Sequence, residues 1–402
     1  MSTSITPTAE TTEIPIPPTS RPRAWASVRR ILLSRAGVLL IATLALVLYF
    51  QFASDGSFIS PTNASLLLRQ TAVVAVLAAG VAVLIIVGEI DLSIGSAAFL
   101  AGLVAAQCQV AGLGTVVSIL AAVGAGLIMG IVQAMATVSL AIPAFIVTLA
   151  GFLVWRGIGL LWTNAGAVGP VSSDFIALSE GKMPLAIDAA LVLVLVLAAA
   201  LRCFRAFQNA KTSASRTPVR VYAQIVALPL VGAAGLIWVS SGRSGVPYAT
   251  LWIAVVALTL GTMLTKGKFG RQIFLLGSNR EAAIYAGINA KRTVIITFLI
   301  MGLIYGIGGV LLTARAGTST ADAGTTLELV AISAAVVGGN SLRGGVGSVW
   351  GAVMGAFLLS TIDNGMALLG VSSYAQNVAK GLILVIAVGL DGYFVRRRQG
   401  RS

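Results

Sequence analysis

Long apolar segments alternate with short polar segments along most of the chain. Each apolar segment approaches the roughly 20 residues that a helix needs to cross the hydrocarbon core of a bilayer. The pattern predicts about twelve spans (ten to twelve), at 36–51, 66–88, 93–110, 113–138, 143–161, 185–201, 221–240, 248–265, 293–314, 327–340, 346–362 and 373–391. Segment 327–340 is the weakest, because about 14 helical residues rise only about 21 Å. We expect it to be short or re-entrant, buried among other helices.

The composition agrees with this pattern. Hydrophobic residues make up 57% of the 402 residues and charged residues only 10%. A soluble domain of this length does not have such a balance, so the sequence predicts an all-α polytopic membrane protein. The net charge of +14 does not indicate nucleic-acid binding, because the basic residues are grouped between apolar spans.

The basic residues predict the topology. Twenty of the 27 lysines and arginines lie in four clusters, at 21–35, 202–220, 266–292 and 396–401. Placing all four clusters in the cytoplasm requires an even number of spans between neighbours, and the counts are six, two and four. The sequence therefore predicts a multi-pass membrane protein with both termini cytoplasmic. We expect residues 1–35 to form a disordered cytoplasmic tail, 36–395 a transmembrane domain with cytoplasmic loops at 202–220 and 266–292, and 396–402 a basic cytoplasmic C-terminus.

Several kinds of chemistry are absent from the sequence. The chain has no histidine, which excludes Ser-His-Asp and Cys-His catalysis and histidine metal ligands. Cys108 and Cys203 are isolated in apolar surroundings and do not form a metal motif. We expect no catalytic site, no metal site and no cofactor bound by this chain.

A polar island interrupts the apolar pattern at 266–292. It contains six basic residues, and Glu281 is its only acid. Asn279 to Ile288 is helix-forming and closed by Gly287, which predicts a short cytoplasmic helix that docks on another protein.

Two carboxylates, Glu89 and Asp91, stand between glycines at a break in the apolar pattern. One reading is an ion or proton site on a broken helix, and with it an ion-coupled secondary transporter of a small polar solute. The other reading is a structural turn, in which Asp91 accepts from backbone N–H groups near Ser93 and Ile94. We favour the turn, because neighbouring spans show no charged partner. Near the outer ends of later spans, Arg315 and Glu328 either pair with each other or face a partner outside the membrane.

Glycines recur at intervals of four residues inside several spans. The pattern predicts close helix packing, at Gly126 and Gly130, Gly302 and Gly306, and Gly347, Gly351 and Gly355.

Four motifs, in order between about residues 65 and 390, carry a family resemblance. The first resembles the G-G-I-D-L-S-V-G-S signature of permease subunits of ribose- and xylose-type sugar ABC importers, and contains Gly88, Glu89, Ile90, Asp91, Leu92, Ser93, Ile94, Gly95 and Ser96. The second is similar to that family's cytoplasmic G-G-N-x-E-A-A loop, and contains Gly277, Ser278, Asn279, Arg280, Glu281, Ala282 and Ala283, followed by Gly287. The third and fourth match at 338–347 and 364–374. Glu89 and Ser278 stand where the family usually has glycine.

The resemblance implies a type II ABC importer-like helical bundle in the bacterial inner membrane, without its own ATPase. The chain lacks the G-x-x-x-x-G-K-[ST] phosphate loop, since Gly267 and Lys268 are followed by Phe269. ATP would be hydrolysed by a partner subunit that grips a coupling helix formed by Gly277, Asn279, Glu281, Ala282, Ala283 and Gly287. A second permease copy would complete a homodimer, and a sugar-binding protein would dock outside, where the candidate contacts are Arg315, Asp322 and Glu328. The segment 185–265 looks like the insertion that makes xylose-type permeases longer, which indicates xylose or a related pentose. Gly88, Asp91, Leu92, Ser93 and Gly95 would form either a structural turn or part of the pathway.

Overall fold

The computed structural model describes residues 35–212 and 219–383, and residues 385 and 389 of the last segment. The predictions for the N-terminal tail, for 396–402 and for the end of span 373–391 lie outside these residues. The helices are α1 (Arg35–Ala53), α2 (Pro61–Val87), α3 (Ile94–Val110), α4 (Gly114–Ser139), α5 (Ala144–Thr163), α6 (Ser173–Glu180), α7 (Leu185–Thr212), α8 (Val219–Ser240), α9 (Ala249–Lys266), α10 (Lys268–Ser278), α11 (Arg280–Tyr285), α12 (Ala290–Ala316), α13 (Leu327–Val337) and α14 (Val349–Leu368). Residues 373–383 are helical as well.

The prediction of a polytopic helical membrane protein is confirmed. Within the described part of the chain, six helices have the length and composition of a full membrane crossing, namely α2, α4, α5, α9, α12 and α14. Five shorter apolar helical stretches accompany them, at 37–53, 94–110, 185–201, 229–240 and 327–337. The total of about twelve spans remains a prediction.

Helix α2 forms the centre of the bundle. Of its most apolar stretch, 89% is buried inside the chain itself, against helices α9, α12, α13 and α14. Such a helix is apolar on every side because every side meets protein.

Most of the regularly spaced glycines bring helices together as the sequence predicts, but Gly347 lies in the non-helical segment before α14, against the Asn340 side chain. A side chain at Gly126 of α4 would collide with the backbone of Gly302 and Gly306 on α12. On α14, Gly351 and Gly355 lie in the same way against backbone carbonyls of α13. These are the backbone-to-backbone contacts that small residues permit.

Two helices of the bundle are interrupted, and their second halves begin side by side. Helix α2 ends at Gly88, residues 88–93 are non-helical, and α3 starts at Ile94. Helix α12 is followed by the irregular segment 317–326 before α13. A Cβ at Gly95, near the start of α3, would meet the Glu328 side chain at the start of α13 and the Gly324 carbonyl. Helix α13 has 11 residues, so the expectation of a short element at 327–340 is confirmed.

The sequence predicted a loop at 202–220, but the described residues of this segment, 202–212 and 219–220, are helical. Helix α7 extends beyond its apolar part to Thr212, and α8 begins at Val219. The change to polar residues shows where the helix leaves the apolar region, but it does not show where the helix ends. Arginine, alanine, glutamine and lysine favour helix in water as well. The cytoplasmic position of this segment remains a prediction.

Candidate functional site

The polar island at 266–292 contains two helices, α10 and α11, where the sequence predicted one. Asn279 separates them and caps α11, since its side chain accepts from the Ala282 N–H at 3.0 Å. Glu281 lies in the first turn of α11, where a negative charge is favourable near the helix N-terminus. Ala283 is buried, whereas Glu281 and Ala282 are exposed.

Gly287 ends this short helix by its backbone conformation. Its φ of 84° lies in the left-handed region, and the Ile288 N–H donates to the Ala283 carbonyl at 3.0 Å. This is the helix-ending geometry that favours glycine. A Cβ at Gly287 would meet no atom within 4 Å in the described part of the chain, so the glycine is required for the turn and not for packing there.

Two apolar side chains on α11 face away from the protein. Tyr285 is 89% exposed and Ile284 is 51% exposed. Neither residue was among the contacts predicted from the sequence, which were the small residues and Glu281. An aromatic residue next to an aliphatic one in a polar segment is the signal that would have found them.

The polar island is joined to the membrane helices through a contact between backbones. Gly277, at the end of α10, lies so close to the Ile86 carbonyl that a Cβ would overlap with it. The same carbonyl accepts from the Gly345 N–H at 2.8 Å. Gly344 packs against both Gly277 and Gly88. Three of the four sequence motifs therefore meet at one point, which we call the glycine junction (Gly88, Gly277, Gly344 and Gly345, around Ile86).

Glu89, which follows the glycine junction, has a charged partner that the sequence analysis did not find. Its Oε1 lies 2.9 Å from Arg280 Nη1, and the Glu89 side chain is 10% exposed. Both residues line a cavity of about 340 Å³, together with Lys291 and residues at the α4–α5 turn. The ion pair connects α11 to the non-helical segment 88–93.

Asp91 is buried in a hydrogen-bonded cluster. Its Oδ1 accepts from the N–H and the hydroxyl of Ser93, each at 2.7 Å, and its Oδ2 accepts from the Tyr305 hydroxyl. Gln133 completes the cluster, since its Nε2 donates to Ser93 Oγ at 2.6 Å and its Oε1 lies 2.9 Å from the Tyr305 hydroxyl. Beside the cluster, the Leu92 N–H donates to Thr148 Oγ1 at 3.1 Å.

This geometry supports the structural turn over the ion site. Both carboxylate oxygens of Asp91 are occupied by donors of the protein itself. The bond to the Ser93 N–H agrees with the sequence prediction, but Ser93 is the N-cap residue of α3 and its side chain makes no capping bond. Asp91 therefore stabilises the turn before α3. In the described part of the chain, no group of three or more histidine, cysteine or acidic side chains is placed to hold a metal ion.

The three candidates for an outer binding surface lie in different environments. Asp322 is exposed and Arg315 is exposed, but Glu328 is buried at 8% exposure. Arg315 and Glu328 do not interact with each other as one reading of the sequence had it: Arg315 lies near Glu180, and Glu328 near Arg156. The sequence analysis assigned no role to Arg156, although an arginine within an apolar span is a recognisable signal.

The comparisons with known proteins agree with these motifs. The family model of the branched-chain amino acid transport system permease component matches residues 63–388. The chain is 38% identical to the xylose transport system permease protein XylH of Escherichia coli K12, over 90% of this chain and 92% of the relative. It is 31% identical to the ribose import permease protein RbsC of E. coli K12, over 88% and 92%. It is 29% identical to the galactose/methyl galactoside import permease protein MglC of Haemophilus influenzae, over 87% and 91%.

No solved structure is significantly similar to the chain. The family model covers most of the residues, and the similarity to XylH extends over nearly the whole length of both proteins. These matches and the helical architecture make the chain a multi-pass inner-membrane transport subunit and not an enzyme. The chain belongs to the permease family of ABC importers, within it to the sugar permeases of the ribose and xylose type.

Proposed function

We propose that this permease imports xylose or a related pentose, which a sugar-binding protein delivers at the outer surface. The similarity to XylH, at 38% identity, exceeds that to RbsC at 31% and MglC at 29%. The hairpin of α7 and α8 lies within the segment 185–265, whose presence makes the chain resemble the longer xylose-type permeases.

Helix α11 is the contact for an ATP-hydrolysing partner subunit. It carries two exposed apolar side chains, Ile284 and Tyr285, and Leu275 on the preceding helix α10 is exposed as well. A short helix with such anchors fits a groove on a partner, where a buried tyrosine contributes strongly to binding. Ala282 is exposed beside them and allows close approach.

The observation that carries this proposal is the glycine junction. Because Gly277 touches the Ile86 carbonyl directly, no flexible side chain separates α10 from the end of α2. Gly345 binds the same carbonyl and connects the 338–348 loop, which leads into α14. A force applied to α11 by nucleotide-driven closure of the partner would therefore reach α2, α3 and α14 together.

The assembly that fits this role contains two permease copies and two ATPase copies, with both termini in the cytoplasm. The four basic clusters support that orientation. A path between two copies gives the polar solute a route that avoids lipid.

The test is reconstitution into vesicles with the ATPase subunit and the sugar-binding protein of the same cell. We expect ATP-dependent uptake of xylose, and we expect tagged permease to bring the ATPase subunit with it from native membranes. Uptake that persists without ATP and stops with an uncoupler would disprove the proposal, as would a permease that never co-purifies with an ATPase.

A further inference from the structure

Arg156 is a cation in the middle of a membrane helix. It lies 12 residues after the start of α5 at Ala144 and seven before its end at Thr163. These separations correspond to about 18 Å and about 10 Å along the helix axis. A charged side chain at such a depth is unfavourable by about 2.5–3.5 kcal/mol on an insertion scale, and it marks a functional site by default.

The guanidinium of Arg156 holds the irregular segment 317–326. Its Nη1 donates to the carbonyls of Ala321 and Ala323, at 3.0 and 2.7 Å, and its Nη2 donates to Thr325 Oγ1 at 3.1 Å. The guanidinium carbon lies 4.7 Å from the ring centre of Phe99 on α3. Arginine has five N–H donors, so these bonds leave two for another acceptor.

The segment 317–326 descends from the outer end of the bundle to membrane depth. At its start, Ser319 exchanges backbone hydrogen bonds with Val168 in the loop before α6, at 2.8 and 2.9 Å. Further on, Gly324 lies against Gly95. Gly95 precedes the outer end of α3, Val110, by 15 residues, which corresponds to about 22 Å of helix.

Polar side chains of this segment are exposed at that depth. Asp322, Thr325 and Thr326 are all exposed, and the negative charge of Asp322 lies near Arg156. Irregular backbone at membrane depth is tolerated only where it is buried in protein or lines a water-filled cavity. These side chains are not buried in the chain, so a water-filled path between the two proposed copies is the environment that suits them.

We propose that Arg156, Asp322, Thr325 and Thr326, which we call the polar window, line the translocation pathway and bind the hydroxyl groups of the passing sugar. This inference rests on the proposed function and specifies where the sugar passes. Each sugar hydroxyl is both a donor and an acceptor, so it can accept from a free N–H of Arg156 and donate to Asp322. The contacts are few and exposed to water, which suits a passage site that must release its cargo.

The test uses single cysteines in the complete transporter. Cys108 and Cys203 are first replaced by alanine, and Asp322→Cys or Thr326→Cys is then introduced. Both positions are exposed, so the substitutions leave the packing intact. The control is Val194→Cys on α7, which is 61% exposed but lies among apolar residues. A hydrophilic, membrane-impermeant thiol reagent is applied from the outside during turnover.

We expect the cysteines at 322 and 326 to react at least about tenfold faster than the control, because a thiol must ionise in water to react. We also expect the modification to block sugar uptake. Reaction no faster than at 194, or reaction at both positions without loss of uptake, would overturn the polar window. ATP-driven uptake by the cysteine-free background, which keeps Asp322 and Thr326, tests the proposed function separately: if it is present while labelling at 322 and 326 fails, only the polar window is wrong.

Discussion

Arg280 of helix α11 forms an ion pair with Glu89, 191 residues earlier in the chain, at 2.9 Å. The Arg280 side chain is 54% exposed and the Glu89 side chain only 10%, so one end of the pair lies at the surface of the polar island and the other inside the bundle. The pair adds a second connection between α11 and segment 88–93, beside the glycine junction.

Breaking this ion pair is expected to destabilise the permease. Arg280→Gln leaves the Glu89 carboxylate with little access to water, and should lower the free energy of unfolding by about 1–2 kcal/mol. The measurement is thermal unfolding of the purified permease in detergent. In a double-mutant cycle with Glu89→Gln, the two changes should be less than additive. Arg271→Gln, at an exposed position on α10, is the control; an equal effect of that change would argue against the pair.

Removing the exposed tyrosine of α11 is expected to weaken binding of the ATPase subunit. Tyr285→Ala deletes the largest exposed apolar side chain of this helix, and a loss of about 2 kcal/mol corresponds to about a 30-fold weaker affinity. Affinity is measured between purified permease and ATPase subunit in detergent. Tyr374→Ala is the matched control, because Tyr374 is 85% exposed and lies near the predicted outer loop 363–372. Equal binding of the ATPase subunit by both variants would show that α11 is not part of the interface.

A methyl group in the glycine junction is expected to disturb folding. Gly277→Ala places a Cβ against the Ile86 carbonyl and the Gly345 nitrogen, and such overpacking costs about 1–3 kcal/mol. The thermal midpoint should fall, and the ATP-dependent uptake rate with it. Gly124→Ala is the control, since a Cβ there meets no atom of the chain. A variant at 277 as stable as the one at 124 would contradict the packing described.

The Tyr305 hydroxyl is expected to contribute to stability through Asp91. Tyr305→Phe keeps the ring and removes one donor to the buried carboxylate, which should cost about 1–3 kcal/mol. The readout is again the thermal midpoint in detergent. Tyr49→Phe, at 61% exposure, should leave the midpoint unchanged. If the two variants behaved alike, the cluster would have no structural role.

The sequence was a good guide to local features of this protein. Apolar segments reveal membrane helices because a helix that crosses lipid must be apolar. Glycines spaced four residues apart reveal helix contacts because two helix backbones approach closely only where the residues are small. The sequence also predicted a short helix that begins at Asn279 and is closed by Gly287, because the ends of a helix depend on residues next to them in the chain. The weak apolar segment at 327–340 was also correctly expected to be short.

Contacts between distant segments could not be predicted in this way. Tyr305 and Gln133 meet Asp91 only because α12 and α4 pack beside the break after α2. The partner of Glu89 was missed because Arg280 lies outside the neighbouring spans. The role of Arg156 could not be predicted because its Nη1 donates to backbone carbonyls. Those carbonyls belong to segment 317–326, and no sequence pattern shows that this segment enters the bundle.

The hairpin of α7 and α8 has a consequence for engineering this chain. The two helices contact chiefly each other, and α8 adds a smaller contact with α2. The central core is built from helices on either side of the hairpin in sequence. The hairpin is therefore an appendage at the edge of the bundle, and it offers a place where a reporter domain or an affinity tag can be inserted without entering the core.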